Sequence, residues 1–389
     1  MPDMTYSSIE MIKKLISFDT TSRESNLDLI QFIENYLASH GIKSDIISDA
    51  TGNKANLYAI VGPECDGGIV LSGHTDVVPV DGQTWNSNPF EVLETPEKLY
   101  GRGTSDMKSF IGIALANVPN MLQSNLKIPI HLCFSYDEEV GCLGIHGLVP
   151  KLLATKTKPA ACIVGEPTEM KVVNAHKGVR VVRTRLRGLE AHSSATHVGV
   201  NAVMFASELI TFLNDIAEEM RKRSDPDSRF EPPYTTLSVG TIEGGTAVNI
   251  IPKDCEFHWE HRVIPGTDED EILNRFRDYA LNRVLRKMRK VFPDSNIEIE
   301  ELATVKPLVP QDNSPAETLV LALTHSNQTY AVSYGTEGGI LQTDAEVPTV
   351  VCGPGSIAEA HKPNEFIALS EIKACETFVT RLINYCASR

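Results

Sequence analysis

The chain has 389 residues, 42% of them hydrophobic and 22% charged, with a formal net charge of −15. This length exceeds one ordinary hydrophobic core and leads us to expect two domains. The acidic balance argues against nucleic acid and anionic membranes as partners, and no apolar run is long enough to span a bilayer.

Residues 8–18 mix apolar and polar side chains at helical spacing, which predicts a surface helix rather than a signal peptide. Residues 27–39 form a second helix, with Leu29, Phe32, Ile33, Tyr36 and Leu37 on one face. Residues 57–61 and 69–72 are short apolar strands, residues 109–118 a helix, and residues 128–135 and 160–164 strands of the buried type. This alternation predicts an α/β domain with a mostly parallel sheet, whose ligands collect at the carboxyl ends of the strands.

The pattern changes at Gly178. Residues 179–188 alternate Val or Leu with Arg, 201–223 are helical, 235–240 and 255–262 alternate again, 268–286 form a charged amphipathic helix, and 297–301 a last strand. This is the ferredoxin-like order. The expected organisation is therefore a catalytic segment over 1–177, an inserted α+β domain over 178–305, and a returning catalytic segment over 306–389. The return carries a helix at 315–323, a strand at 347–352 and a closing helix at 370–385. The eight cysteines contain no CxxC and read as reduced, buried thiols of a cytoplasmic protein.

Metal-type side chains follow several of the apolar runs. His74 and Asp76 form an H-x-D pair after residues 69–72. Residues two apart in a strand point the same way, so His74 reads as a ligand and Asp76 as the carboxylate that takes its second N–H. Asp106, in Gly-Arg-Gly-Thr-Ser-Asp-Met-Lys, either bridges two metals through its two oxygens or caps the following helix. Glu138 and Glu139 are adjacent and diverge, so one can act as a base on a water while the other ligates metal. We assign Glu138 as base and Glu139 as ligand. Glu166 ends a buried strand, and His361 follows a Gly-Pro-Gly turn. Each has a plain alternative as a turn or surface residue. Together, two imidazoles and several carboxylates at strand ends suit a pair of zinc ions, with cobalt or manganese as N/O-site alternatives.

The segments 72–79, 100–108, 137–139, 165–168, 176–178, 191–194, 249–252, 335–337, 353–356 and the surroundings of His361 run in the same order as in the dinuclear zinc aminoacylase and carboxypeptidase family, which the chain resembles over nearly its whole length. The resemblance implies a zinc hydrolase with an inserted lid and dimerisation domain, assembled as a homodimer and acting on a small N-acyl amino acid. It implies that Asp106 bridges the metals, that His74 and Glu166 hold one and Glu139 and His361 the other, and that Glu138 is the general base. It also implies a cis peptide after Asp106. A glutamate at position 166 goes with deacylases and carboxypeptidases rather than dipeptidases. His192 is implied to stabilise the oxyanion from the partner subunit. Asn249 and Arg262 are expected to bind the substrate carboxylate or carbonyl. Glu337 is expected to attract a cationic substrate side chain and repel an acidic one. The rival from another class is a non-catalytic protein with a structural metal.

Overall fold

Strands buried on both faces need apolar side chains on both faces, and Gly68–His74 and Ile130–Ser135 are buried at every position. They lie side by side at the centre of an eight-stranded sheet in the computed structural model, which describes residues 5–389. The order across the sheet is Ser44–Ser48, Ala55–Val61, Ile130–Ser135, Gly68–His74, Pro159–Pro167, Thr349–Gly353, Val172–His176 and Thr329–Val332. The third to sixth strands in that order run parallel, and antiparallel pairing begins outside them. His74 stands opposite Ser135 in the register, so the ends of these two strands coincide.

This sheet belongs to a unit made of the described residues up to Ala175 together with Leu308–Ala331 and Thr336–Arg389. Helices Ser8–Ile16, Leu27–Ser39, Lys108–Ala116, Pro315–Thr324 and Leu369–Ser388 supply apolar faces to its core. The first of them starts with a capping box: the Ser7 hydroxyl accepts the Glu10 N–H while the Glu10 carboxylate accepts the Ser7 N–H.

The second unit comprises His176–Pro307 and Val332–Gly335. Its antiparallel sheet has the order Thr236–Gly244, Asp254–Val263, Gly178–Arg187, Asn296–Val305, with the first two strands in the chain separated by helix Ala202–Lys222. Numbered along the chain this order is 2-3-1-4, the ferredoxin-like arrangement. Asn201 caps the long helix by accepting the Met204 N–H. The expected helix over 268–286 is Glu271–Tyr279, which continues through a π-turn at Ala280–Val284 into Leu285–Arg289. All eight cysteines are free thiols, seven of them buried. No helix among the described residues is long and apolar enough to cross a membrane.

Candidate metal centre

His74 closes strand Gly68–His74, Glu166 lies at the end of Pro159–Pro167, and Glu138 and Glu139 follow Ile130–Ser135. His361 lies eight residues beyond Thr349–Gly353, in the left-handed region at φ +62°. Four neighbouring parallel strands thus deliver side chains to one edge of the sheet. Asp106 enters from the loop before helix Lys108–Ala116. It does not cap that helix; Met107 occupies the cap position, and the Asp106–Met107 peptide is cis.

The two oxygens of Asp106 face different histidines. Oδ1 is 3.1 Å from His74 Nε2, and Oδ2 is 3.3 Å from His361 Nε2. Glu166 Oε1 lies 3.6 Å from His74 Nε2, and Glu139 Oε2 lies 3.0 Å from His361 Nε2. Ligand atoms of His74, Glu138 and Glu166 fall within 4.8 Å of one another, as do those of His74, Asp106 and Glu139. Asp106 and Glu166 are buried, whereas the His361 side chain is 54% exposed, so the cluster opens on that side. The close approach needs Gly165, because a Cβ there would sit 2.1 Å from the Phe110 ring.

Asp76 orients its neighbours somewhat differently from expectation. His74 Nδ1 donates to the Asp76 backbone carbonyl at 3.0 Å, while the carboxylate Oδ1 stands off at 3.5 Å. A carbonyl only accepts, so Nδ1 carries a proton, and Nε2 is the nitrogen left to face Asp106 and Glu166. The Asp76 carboxylate instead accepts the N–H groups of Glu138 and Glu139, at 3.1 and 3.2 Å, and the Ser22 hydroxyl at 2.7 Å. One aspartate therefore sets both the orientation of the His74 ring and the backbone of the two glutamates. Burial works against its charge, but His74, Ser22 and the Glu138 N–H outweigh it and hold the pKa below the ordinary value. Ser22 and Cys142 are not apparent from the sequence; the Cys142 thiol donates to Glu138 Oε1 at 3.4 Å.

Burial, and then the repulsion of Asp106, pushes Glu139 up to about 7 and Glu166 well above the carboxylate range. Glu138 is raised well above it too, by burial first, with Glu139, Glu337 and Asp106 adding to the rise against the pull of His74. His361, hydrogen-bonded by Asp106 and Glu139, is raised to about 10. A buried set of carboxylates and imidazoles that retains protons this strongly is short of positive charge. Two divalent cations would supply that charge in place of the protons, so the donor set fits a dinuclear metal site.

Glu337 stands at the start of helix Gly338–Thr343, only 1% exposed, and neither carboxylate oxygen has a hydrogen-bond partner. Burial raises its pKa from 4.5 to about 7, offset in part by the Ser135 hydroxyl, which faces it without reaching hydrogen-bond geometry, and by His74. Between those two values the folded state binds the proton more tightly than the unfolded chain, so this group's stabilising contribution is complete below 4.5 and lost as pH rises through about 7. The difference corresponds to on the order of 3 kcal/mol at pH 8. In metal-free protein, Glu337→Gln is expected to raise Tm at pH 8 and leave it nearly unchanged at pH 4.5. Thermal melts at both values check this, and a lower Tm at pH 8 would show that the charge has a stabilising partner.

The remaining expected site residues lie in the second unit. His192 Nδ1 accepts the Ser194 N–H at 3.2 Å, which leaves the neutral ring's proton on the exposed Nε2. Asn249 is exposed beside it, its backbone carbonyl accepting the Ser193 N–H. Arg262 is half-buried and already paired with Glu260, Nε to Oε1 at 2.8 Å, so an incoming carboxylate must compete with that glutamate.

Residues 70–385 match peptidase family M20/M25/M40. The chain belongs to this family and is a metallohydrolase with a His, Asp and Glu cluster suited to its dinuclear chemistry. It is 32% identical over 384 residues to the acetylornithine deacetylase of Pasteurella multocida (strain Pm70), covering 97% of this chain and 96% of that one. Identity to the acetylornithine deacetylase of Proteus mirabilis (strain HI4320) is 33% over 388 residues, with the same coverages. The fold is shared with the metallo-carboxypeptidase Sso-CP2 of Sulfolobus solfataricus, at a TM-score of 0.77 and 17% identity over 98% of this chain and 100% of that one. It is shared also with the dipeptidase Dug1p of Saccharomyces cerevisiae, at 0.74 and 16% over 98% and 96%.

Proposed function

We propose that the protein hydrolyses N2-acetyl-L-ornithine to acetate and L-ornithine, a step of arginine biosynthesis, as a cytoplasmic two-zinc deacetylase that works as a homodimer. The observation that carries the two-metal part is the division of Asp106 between two histidine–glutamate pairs, His74 with Glu166 and His361 with Glu139. The substrate assignment rests on the similarity to the two deacetylases and on Glu337, whose buried carboxylate lacks the donor that an ornithine side-chain ammonium provides.

In this reading His74 and Glu166 would hold one ion and Glu139 and His361 the other, with Asp106 shared between them. Zinc ions held there would supply Lewis acidity toward the acetyl carbonyl and toward the attacking water. Glu138 takes the proton of that water on its carboxylate. The hydroxyl adds to the acetyl carbon, the C–N bond breaks, and Glu138 hands the proton to the departing α-amine. His192, contributed by the second subunit, donates from Nε2 to the developing oxyanion. Asn249 and Arg262 receive the α-carboxylate, with Arg262 exchanging Glu260 for it.

Steady-state hydrolysis of N2-acetyl-L-ornithine, N-acetyl-L-methionine and N-succinyl-diaminopimelate, with and without Zn²⁺ or Co²⁺, tests the assignment. Metal-dependent turnover preferring acetylornithine is expected. Preference for another substrate discards the pathway and keeps the chemistry; no metal-dependent turnover on any of them counts against the reading as a whole. Glu337→Gln should lower kcat/KM for acetylornithine about 10–100-fold more than for acetylmethionine, the size of a lost charge-assisted contact. Equal losses on both would remove Glu337 from substrate recognition.

A further inference from the structure

Glu365 is 1% exposed, and each of its oxygens accepts two hydrogen bonds. Oε1 takes the N–H groups of Ser105 and Asp106 at 2.7 and 3.1 Å. Oε2 takes Arg102 Nη1 at 2.6 Å and the Gly103 N–H at 3.1 Å. The carboxylate thus fastens the backbone of the loop that carries Asp106 at Gly103, Ser105 and Asp106. Arg102, also 1% exposed, passes the connection on: its Nη2 donates to Gln83 Oε1 at 2.8 Å, which also accepts Trp85 Nε1–H at 3.0 Å. Gln83 Nε2 then donates to the backbone carbonyl of His361 at 3.0 Å. A parallel contact, the Asn86 N–H to Asn364 Oδ1 at 2.8 Å, ties the same two loops together.

We propose that Glu365, Arg102 and Gln83 are positioning residues that set the affinity of one metal position, the one between Asp106, Glu139 and His361. The proposal rests on the two-metal reading above. Both ends of the network lead to that position: one to the backbone of Asp106, the other to the backbone of His361, whose side chains meet at 3.3 Å. His361 needs such support. It sits on an irregular turn with a left-handed backbone, as does Asn364, and its side chain is more exposed than the other ligands. His74 and Glu166, by contrast, are held at the ends of paired strands and take no contact from these three side chains among the described residues. Outer partners that orient metal ligands typically change metal affinity by about 10–100-fold when removed.

The test is Co²⁺ titration of metal-free protein, followed by calorimetry and visible absorption, comparing the unmodified chain with Gln83→Met. Gln83 is only partly buried, and Met keeps its length without its polar atoms, so the fold is expected to survive. The expected result is two ions bound by both proteins, the tighter one unchanged and the other weakened about 10–100-fold by Gln83→Met. Arg102→Lys, which cannot span Glu365 and Gln83 together, should weaken the same ion. Unchanged affinities in Gln83→Met overturn the proposal, as does an equal loss at both positions accompanied by a fall in Tm, the mark of a general structural role. Fewer than two ions in the unmodified protein overturns the two-metal reading itself.

Discussion

Glu138→Gln is expected to lower kcat by about 10²–10⁴-fold while both metals stay bound. Gln keeps the shape of the side chain, and the Glu138 and Glu139 N–H bonds to Asp76 are made by backbone and survive the change. What is lost is a carboxylate able to accept a proton from water and release it to an amine. Metal content and kcat measured on the same preparation separate the two roles open to this residue, since its oxygen lies within 4.8 Å of ligand atoms of His74 and Glu166. Loss of an ion together with activity would make Glu138 a ligand; a kcat within tenfold of the unmodified enzyme would remove it from the proton transfers.

Asp106→Asn should have the larger effect on metal. An amide offers one acceptor oxygen and one NH2 group where the carboxylate offers two anionic oxygens, and these face His74 and His361 on opposite sides. Whichever way the amide turns, one position loses its shared ligand. The charge stabilisation supplied by a bound metal is worth several kcal/mol, so turnover should fall by at least about 10³-fold. Metal analysis should find one ion retained and one weak or absent. Full retention of both ions with normal turnover would mean that the carboxylate does not bridge.

Much of the catalytic-side layout was legible in the sequence because it follows from local rules. An apolar run of strand length followed by His, Glu or Asp marks a strand end, and strand ends are where parallel sheets gather ligands. That pattern picked out His74, Glu138, Glu139 and Glu166, and the structure brings them together with Asp106 and His361. The less regular elements were not legible. Strand Ser44–Ser48 carries exposed and half-exposed residues at the sheet edge, and Val172–His176 is too short to show a period. Helix Ile145–Ala154 contains Pro150, which reads as a break.

Glu365 and Arg102 show where local reading ends. A glutamate in Lys-Pro-Asn-Glu looks solvated, and an arginine between two glycines looks like part of a turn. Their 2.6 Å contact joins positions 263 residues apart, and only the folded chain buries both. Asp106 was likewise ambiguous between helix cap and bridge until its oxygens were seen facing two histidines rather than the helix N-terminus. The sequence by itself determined the order of the regular strands and helices, the ferredoxin-like insert and the kinds of ligand available, because hydrophobic periodicity and residue chemistry act over a few neighbours. Distances between ligands, the assignment of each Asp106 oxygen, the proton position on His74 and the burial of Glu337 and Glu365 depend on packing between segments far apart in the chain, and only the tertiary structure decided them.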